Sequence, residues 1–276
     1  MLVHEFVNGN KPIMVLIHGV LTPWQIWMPQ IMTFKQKYNI YTIALNAHTE
    51  EAASEFVSVP AEAEEIVEYF KAKNIDTLDI LCGISLGGKI AFEIWKGDKL
   101  NIHNLIMDGA PLVACPKFAV HIMINNYKSI IRKSKARDKK VIESFKKEFL
   151  PEKYLDSYLK IADLMSDKSI ENMIGSAFAG GKIEGVKNQS RILFIHGTKG
   201  NEVLSRKAAN LMKKYYPVTE VVCFQGDVHC YKVIYEPEKW IEVVEKFLED
   251  HDKFFKGKLN YFIKINPITP TALAKK

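Results

Sequence analysis

The stretch Leu78-Asp79-Ile80-Leu81-Cys82-Gly83-Ile84-Ser85-Leu86-Gly87-Gly88-Lys89 reads as a buried strand that turns through glycines into a helix. Two kinds of chemistry use such a turn. In one, Gly83-Ile84-Ser85-Leu86-Gly87 is a GxSxG elbow, in which the serine sits at a strained bend and the flanking glycines remove Cβ atoms that would collide. Ser85 is then lifted clear of the sheet as a nucleophile. The N–H of Leu86 falls at the amino end of the helix, where a developing oxyanion is stabilised. In the other, Gly83 to Lys89 is a GxxxxGK phosphate loop, with Asp108 as the acid that orders magnesium. Against it, Ile90 stands where that loop needs a hydroxyl, and two strands come before the one that feeds the turn.

Outward from the turn, short β-rich runs recur at Ile13 to Ile17, Ile40 to Leu45, Leu105 to Met107, Arg191 to Ile195 and Glu220 to Phe224. Helical periodicity alternates with them over Ala61 to Lys73, Lys89 to Lys96, Arg206 to Tyr216 and Trp240 to Leu248. This is the pattern of an α/β protein with a mostly parallel open sheet and helices on both faces. The alternation stops after Pro111 and resumes at Arg191, with helices expected over Lys117 to Ser129, Asp138 to Phe149 and Glu152 to Leu164. The organisation expected is therefore a core over residues 1–112, a helical cap over 113–188, the rest of the core over 189–253, and an extension over 254–276. The extension reads as an extra strand or a packed arm.

Composition bounds the partners. The 276 residues are 47 % hydrophobic and 25 % charged, ordinary for a folded chain with a sizeable core. A net charge of +6 is too small to argue for nucleic acid, and much of the excess sits between Lys128 and Lys140. That run is either a solvated helix face or a patch for an anionic group. No apolar run reaches the ~18 residues of a membrane helix, and the start lacks a signal pattern, so a cytoplasmic protein is expected. Cys82, Cys115, Cys223 and Cys230 form no CxxC pair, so neither a disulfide framework nor a metal site is suggested.

Two further segments decide between the readings of the turn. The strand ending at Ile17 runs into His18-Gly19-Val20, where the N–H of Val20 is the candidate for a second oxyanion donor. Late in the chain, Gln225-Gly226-Asp227-Val228-His229 places a histidine beyond the end of a strand, at the edge where active groups of open α/β sheets gather. A serine hydroxyl needs a base near pH 7, and His229 is the candidate for that base.

With HG before the elbow, GISLGG at it, HGT after Ile195 and a histidine in GDVH, the chain resembles the α/β-hydrolase family over roughly residues 3 to 250. The resemblance implies a serine hydrolase acting on a carboxylic ester or thioester without a cofactor, and a triad in the order Ser, acid, His. It also admits a non-catalytic relative that binds a ligand. Most relatives carry the acid in the loop after the strand matching Arg191 to Ile195, but Gly200 occupies that place and Glu202 lies two residues further on. Some lipases and haloalkane dehalogenases place it instead at the end of the strand after the elbow helix, here Asp108, 23 residues beyond Ser85. Asp108 is the first choice, Glu202 the second, and Asp227 a distant third. The apolar residues of the cap, Phe118, Ile122, Phe145 and Tyr158 among them, either line an acyl pocket or form the cap's own core.

Overall fold

A computed structural model describes residues 1–186 and 189–249. Seven strands form one sheet in the order β1-β3-β2-β4-β5-β6-β7. They span Leu2–Phe6 (β1), Ile13–Ile17 (β2), Asn39–Ala44 (β3), Thr77–Ile84 (β4), Asn101–Asp108 (β5), Arg191–His196 (β6) and Thr219–Cys223 (β7). All neighbours are parallel except β1, which runs antiparallel to β3 with Leu2 opposite Ala44. The sequence reading missed β1, an edge strand only partly buried. β3 is buried at every position, and β2, β4 and β5 are buried along most of their length, so both faces of the sheet are covered.

The helices are Met28–Phe34 (α1), Val59–Ala72 (α2), Leu86–Gly97 (α3), Lys117–Lys135 (α4), Lys139–Glu148 (α5), Leu155–Leu164 (α6), Asp167–Ala177 (α7), Glu202–Tyr215 (α8) and Tyr231–Tyr235 (α9). The α3 helix carries Ile90, Phe92, Ile94 and Trp95 into the core, each large side chain contributing about 1.5–3 kcal/mol. Helices α4 to α7 form the insertion between β5 and β6. Ser166 starts α7 by accepting the Ser169 N–H at 3.0 Å, and Ile170, Met173, Ile174 and Ala177 form its buried stripe. Both signals were in the sequence, yet α7 was not read from it.

Three cations of the basic run, Lys128, Arg132 and Arg137, are ion-paired within the insertion. Lys128 bonds Glu171, Arg132 bonds Asp167, and Arg137 bonds both oxygens of Asp163 at 2.7 Å. The chain divides into two compact units, residues 1–237 and 238–276. The insertion thus belongs to the first unit. In the second, residues 238–249 are helical, and the extension expected over 254–276 lies outside the described residues.

Candidate active site

Parallel register brings the ends of five strands, β2, β4, β5, β6 and β7, to one edge. Ile17 pairs with Gly83, Ile84 with Asp108, Asp108 with Ile195, and His196 with Cys223. The residues that follow these ends make the site.

Ser85 caps α3 with φ 49° and ψ −116°, a strained positive-φ conformation that costs a side-chain-bearing residue about 1–3 kcal/mol. Its N–H donates to the Asp108 carbonyl at 2.7 Å, and its own carbonyl accepts from Lys89 N–H at 3.1 Å. The flanking glycines are obligatory. A Cβ on Gly83 would lie 2.2 Å from the Gly87 carbonyl oxygen, and one on Gly87 would lie 2.2 Å from that of Ile17. The bend therefore closes only with glycine at both places, and Ser85 is left partly open to solvent between buried neighbours.

His229 reaches Ser85 from the loop after β7. That loop is stitched to the one after β6: Thr198 and Lys199 N–H groups donate to the Asp227 carbonyl at 3.0 and 2.9 Å, and Gly226 N–H donates to Thr198 Oγ1 at 2.8 Å. A Cβ on Gly197 would come within 2.4 Å of the Asp227 oxygen, so this junction also depends on a missing side chain. His229 Nε2 ends 2.9 Å from Ser85 Oγ, and its Nδ1 hydrogen-bonds Glu202 Oε1.

Glu202, in the first turn of α8, has a fully buried side chain. Its second oxygen accepts from Gly197 N–H at 2.7 Å, and Ser205 Oγ donates to Oε1 at 3.2 Å. Burial pushes its carboxyl up, but the His229 bond and charge, the Gly197 N–H and the Ser205 hydroxyl outweigh it and hold the group below the usual glutamate value. The order of preference between the two carboxylates is thus reversed: the histidine's partner is Glu202. Asp108 lies buried beneath, and its backbone carbonyl takes the Ser85 N–H. Asp227 forms an ion pair with Lys232 at 3.2 Å.

On the other side of Ser85, a Cβ built on Gly19 would stand 3.3 Å from the Ser85 Cβ, so the turn after β2 abuts the nucleophile. Leu86, first in α3, has no intrahelical acceptor for its N–H. Val20 N–H has no acceptor among the described residues. Both donors are free to receive an anion.

The phosphate-loop reading of Gly83 to Lys89 does not survive. Lys89 is buried on α3, with its ammonium on Glu93 at 3.0 Å and on the Gly180 carbonyl of the insertion at 3.1 Å. Gly87 meanwhile faces the carbonyl oxygens of Ile17 and His18, which repel a phosphate. Among the described residues no cluster of three or more His, Cys, Asp or Glu is placed to hold a metal, and no helix is long and apolar enough to cross a membrane.

Sequence reasoning missed Gly109. It has φ +66°, and a Cβ there would lie 2.4 Å from His229 Cε1. Nothing in the local Asp-Gly-Ala-Pro run marks this position, and only the fold shows that the imidazole needs the vacant space. Of the cap residues, Phe145 and Tyr158 stack at 3.7 Å within the insertion's own core, whereas Phe118 and Ile122 are exposed.

Solved structures of the same shape are numerous. A hydrolase from Pseudomonas aeruginosa superposes with a TM-score of 0.72 at 14 % identity, covering 89 % of this chain and 93 % of that one. An α/β-hydrolase family protein from Desulfitobacterium hafniense gives 0.69 at 19 %, covering 89 % and 99 %. A carboxylesterase from Bacillus subtilis gives 0.64 at 15 %, covering 89 % and 86 %. No protein-family model and no curated protein sequence matches the chain. The likeness is one of architecture: the chain has the α/β-hydrolase fold.

Proposed function

We propose that the protein is a serine hydrolase that cleaves a small-molecule carboxylic ester or thioester through an acyl-enzyme on Ser85. The observation that carries this reading is the continuous relay from Ser85 Oγ to His229 Nε2 and from His229 Nδ1 to the buried Glu202. Similarity in fold to structures described as hydrolases and carboxylesterases supports it.

In this mechanism Ser85 Oγ attacks the substrate carbonyl carbon while its proton passes to His229 Nε2. Glu202 keeps the Nδ1 proton in place and stabilises the imidazolium. The N–H groups of Val20 and Leu86 receive the oxyanion. The bond to the leaving oxygen or sulfur then breaks, and that atom takes the proton from Nε2. Water, deprotonated by His229, attacks the acyl carbon, and Ser85 departs with the proton returned. The products are a carboxylic acid and an alcohol or thiol. Every step is served by side chains and backbone of this chain.

A fluorophosphonate probe tests the proposal. Wild type is expected to be labelled covalently and to hydrolyse p-nitrophenyl butyrate, with both activities lost in Ser85→Ala. An unlabelled, inactive wild type would leave the non-catalytic binding role as the better reading.

A further inference from the structure

The turn after β2 holds a hydrogen-bond assembly that the relay does not use. The Gly19 carbonyl oxygen accepts three donors: His18 Nδ1 at 2.7 Å, Thr22 Oγ1 at 2.9 Å and Thr22 N–H at 3.5 Å. Three donors on one peptide oxygen fix the plane of that peptide. The chain contains no cis bond among the described residues, so the N–H of the next residue points opposite to that carbonyl. The next residue is Val20. Its N–H is therefore aimed by whatever holds the Gly19 oxygen.

The tautomers follow from the partners. Leu45 N–H donates to His18 Nε2 at 3.2 Å, so His18 carries its proton on Nδ1 and can donate to Gly19. Leu21 N–H donates to His48 Nε2 at 3.1 Å, so His48 carries its proton on Nδ1, which bonds the Asn46 carbonyl at 3.2 Å. Leu21 sits at φ 57°, a strained conformation for leucine, and His48 holds it there. The two imidazoles lie 4.8 Å apart, and both are fully buried. Burial holds His48 down at about 4 and His18 lower than usual as well, so both stay neutral and both Nε2 atoms remain acceptors at neutral pH.

We propose that Thr22 and His18, backed by His48, are positioning residues that clamp the Gly19–Val20 peptide and so aim the Val20 N–H at the oxyanion formed on Ser85. This rests on the hydrolase reading above and assigns work to side chains that touch no substrate. A donor aimed in advance costs no reorganisation when charge develops, so the clamp acts on the transition state rather than on substrate binding.

Thr22→Val keeps the shape and removes the hydroxyl, and Thr22→Ser restores it. With p-nitrophenyl butyrate, Thr22→Val is expected to lower kcat about tenfold, a fraction of the 10²–10³ that loss of a whole donor costs, with KM within about twofold. Affinity for phenylboronic acid, which forms a tetrahedral adduct on the serine, should fall by the same factor, and Thr22→Ser should recover most of both. Thr22→Ala serves the same test if the valine variant does not fold. Unchanged kcat in Thr22→Val, a loss confined to KM, or a serine variant as poor as valine would overturn the clamp while the hydrolase reading stands. A wild type that neither labels nor turns over would overturn the hydrolase reading and the clamp with it.

Discussion

Replacing Glu202 by glutamine keeps the side chain's shape and removes its charge, and the structure turns this into a dilemma with no good solution. Glu202 Oε1 takes the His229 Nδ1 proton and the Ser205 hydroxyl, while Oε2 takes the Gly197 N–H at 2.7 Å. All three are donors, and a carboxylate is acceptor on both oxygens. A glutamine must turn its NH₂ toward one side. Facing Gly197, it sets two donors against each other in a buried site, at a cost of about 1–3 kcal/mol. Facing His229, it forces the proton onto Nε2, and the imidazole can no longer take the proton of Ser85 Oγ 2.9 Å away. The imidazolium also loses its counter-charge in either case. The equivalent wrong-tautomer change in a serine protease lowers kcat by about 10⁴, so a fall of about 10³–10⁴ is expected here, or about 4–5.5 kcal/mol of barrier. The assay is kcat on p-nitrophenyl butyrate, with circular dichroism to show that the variant is folded, beside Asp108→Asn as comparison. Asp108→Asn should stay within about tenfold of wild type. A folded Glu202→Gln enzyme retaining more than a tenth of kcat, with Asp108→Asn collapsing instead, would refute the assignment.

Gly109→Ala puts a Cβ 2.4 Å from His229 Cε1 at φ +66°, so the ring must move; kcat should drop about 100-fold, the scale of a 1 Å misplacement, and ester kinetics beside a melting curve would expose the error if activity persisted. His48 falls from 6.5 to about 4 on folding, so the unfolded chain binds a proton that the native one refuses. Stability from this group is complete above pH 6.5 and is lost as pH falls toward 4, by about 3 kcal/mol. Urea midpoints at pH 7 and 4.5 should therefore differ less in His48→Gln than in wild type, and equal differences would refute the assignment. Burial raises the thiols of Cys82 and Cys230, whereas Cys223 is exposed. Ellman's reagent should react promptly with Cys223 and reach Cys82 and Cys230 only after denaturation; rapid modification of four thiols in the native protein would contradict the packing.

The parallel strands were legible because central strands of a covered sheet are nearly continuous apolar runs, and Met14 to Ile17 and Ile80 to Cys82 are buried throughout. The elbow was legible because its glycines answer a local steric demand that the sequence states directly. β1 was not, since Leu-Val-His-Glu-Phe at an edge has no such run and gains its place only by pairing with β3. The oxyanion clamp was hidden for another reason. His18 stands in an HG turn and His48 in no recognisable motif, and nothing local to either says that their rings meet across 30 residues of chain.

The acid was ambiguous because two adjacent strand ends open on the same imidazole. Asp108 pairs with Ile195 across parallel β5 and β6, so a carboxylate at the end of β5 and one in the loop after β6 start from neighbouring positions. Counting along the loop favoured neither, because Gly200 stands at the usual acid position, with φ +67°. What the count could not include is how the loop runs. Thr198 and Lys199 are both tied to the Asp227 carbonyl, which draws the loop toward β7 and lets α8 begin at residue 202. A carboxylate in a first helical turn is favoured by the free N–H groups there, and the extra methylene of glutamate over aspartate supplies reach from two residues further on. The Gly197 N–H then meets it from behind. Displacement of the acid along the chain is thus matched by a longer side chain and a helix start, two compensations that exist only once the loop has its shape. The choice can therefore be tested by length as well as by charge: Glu202→Asp keeps the carboxylate but shortens it by one methylene, so it should lose contact with His229 Nδ1 and most of the activity. Full activity in Glu202→Asp, measured on the same ester, would mean that reach is not what the two-residue displacement demands.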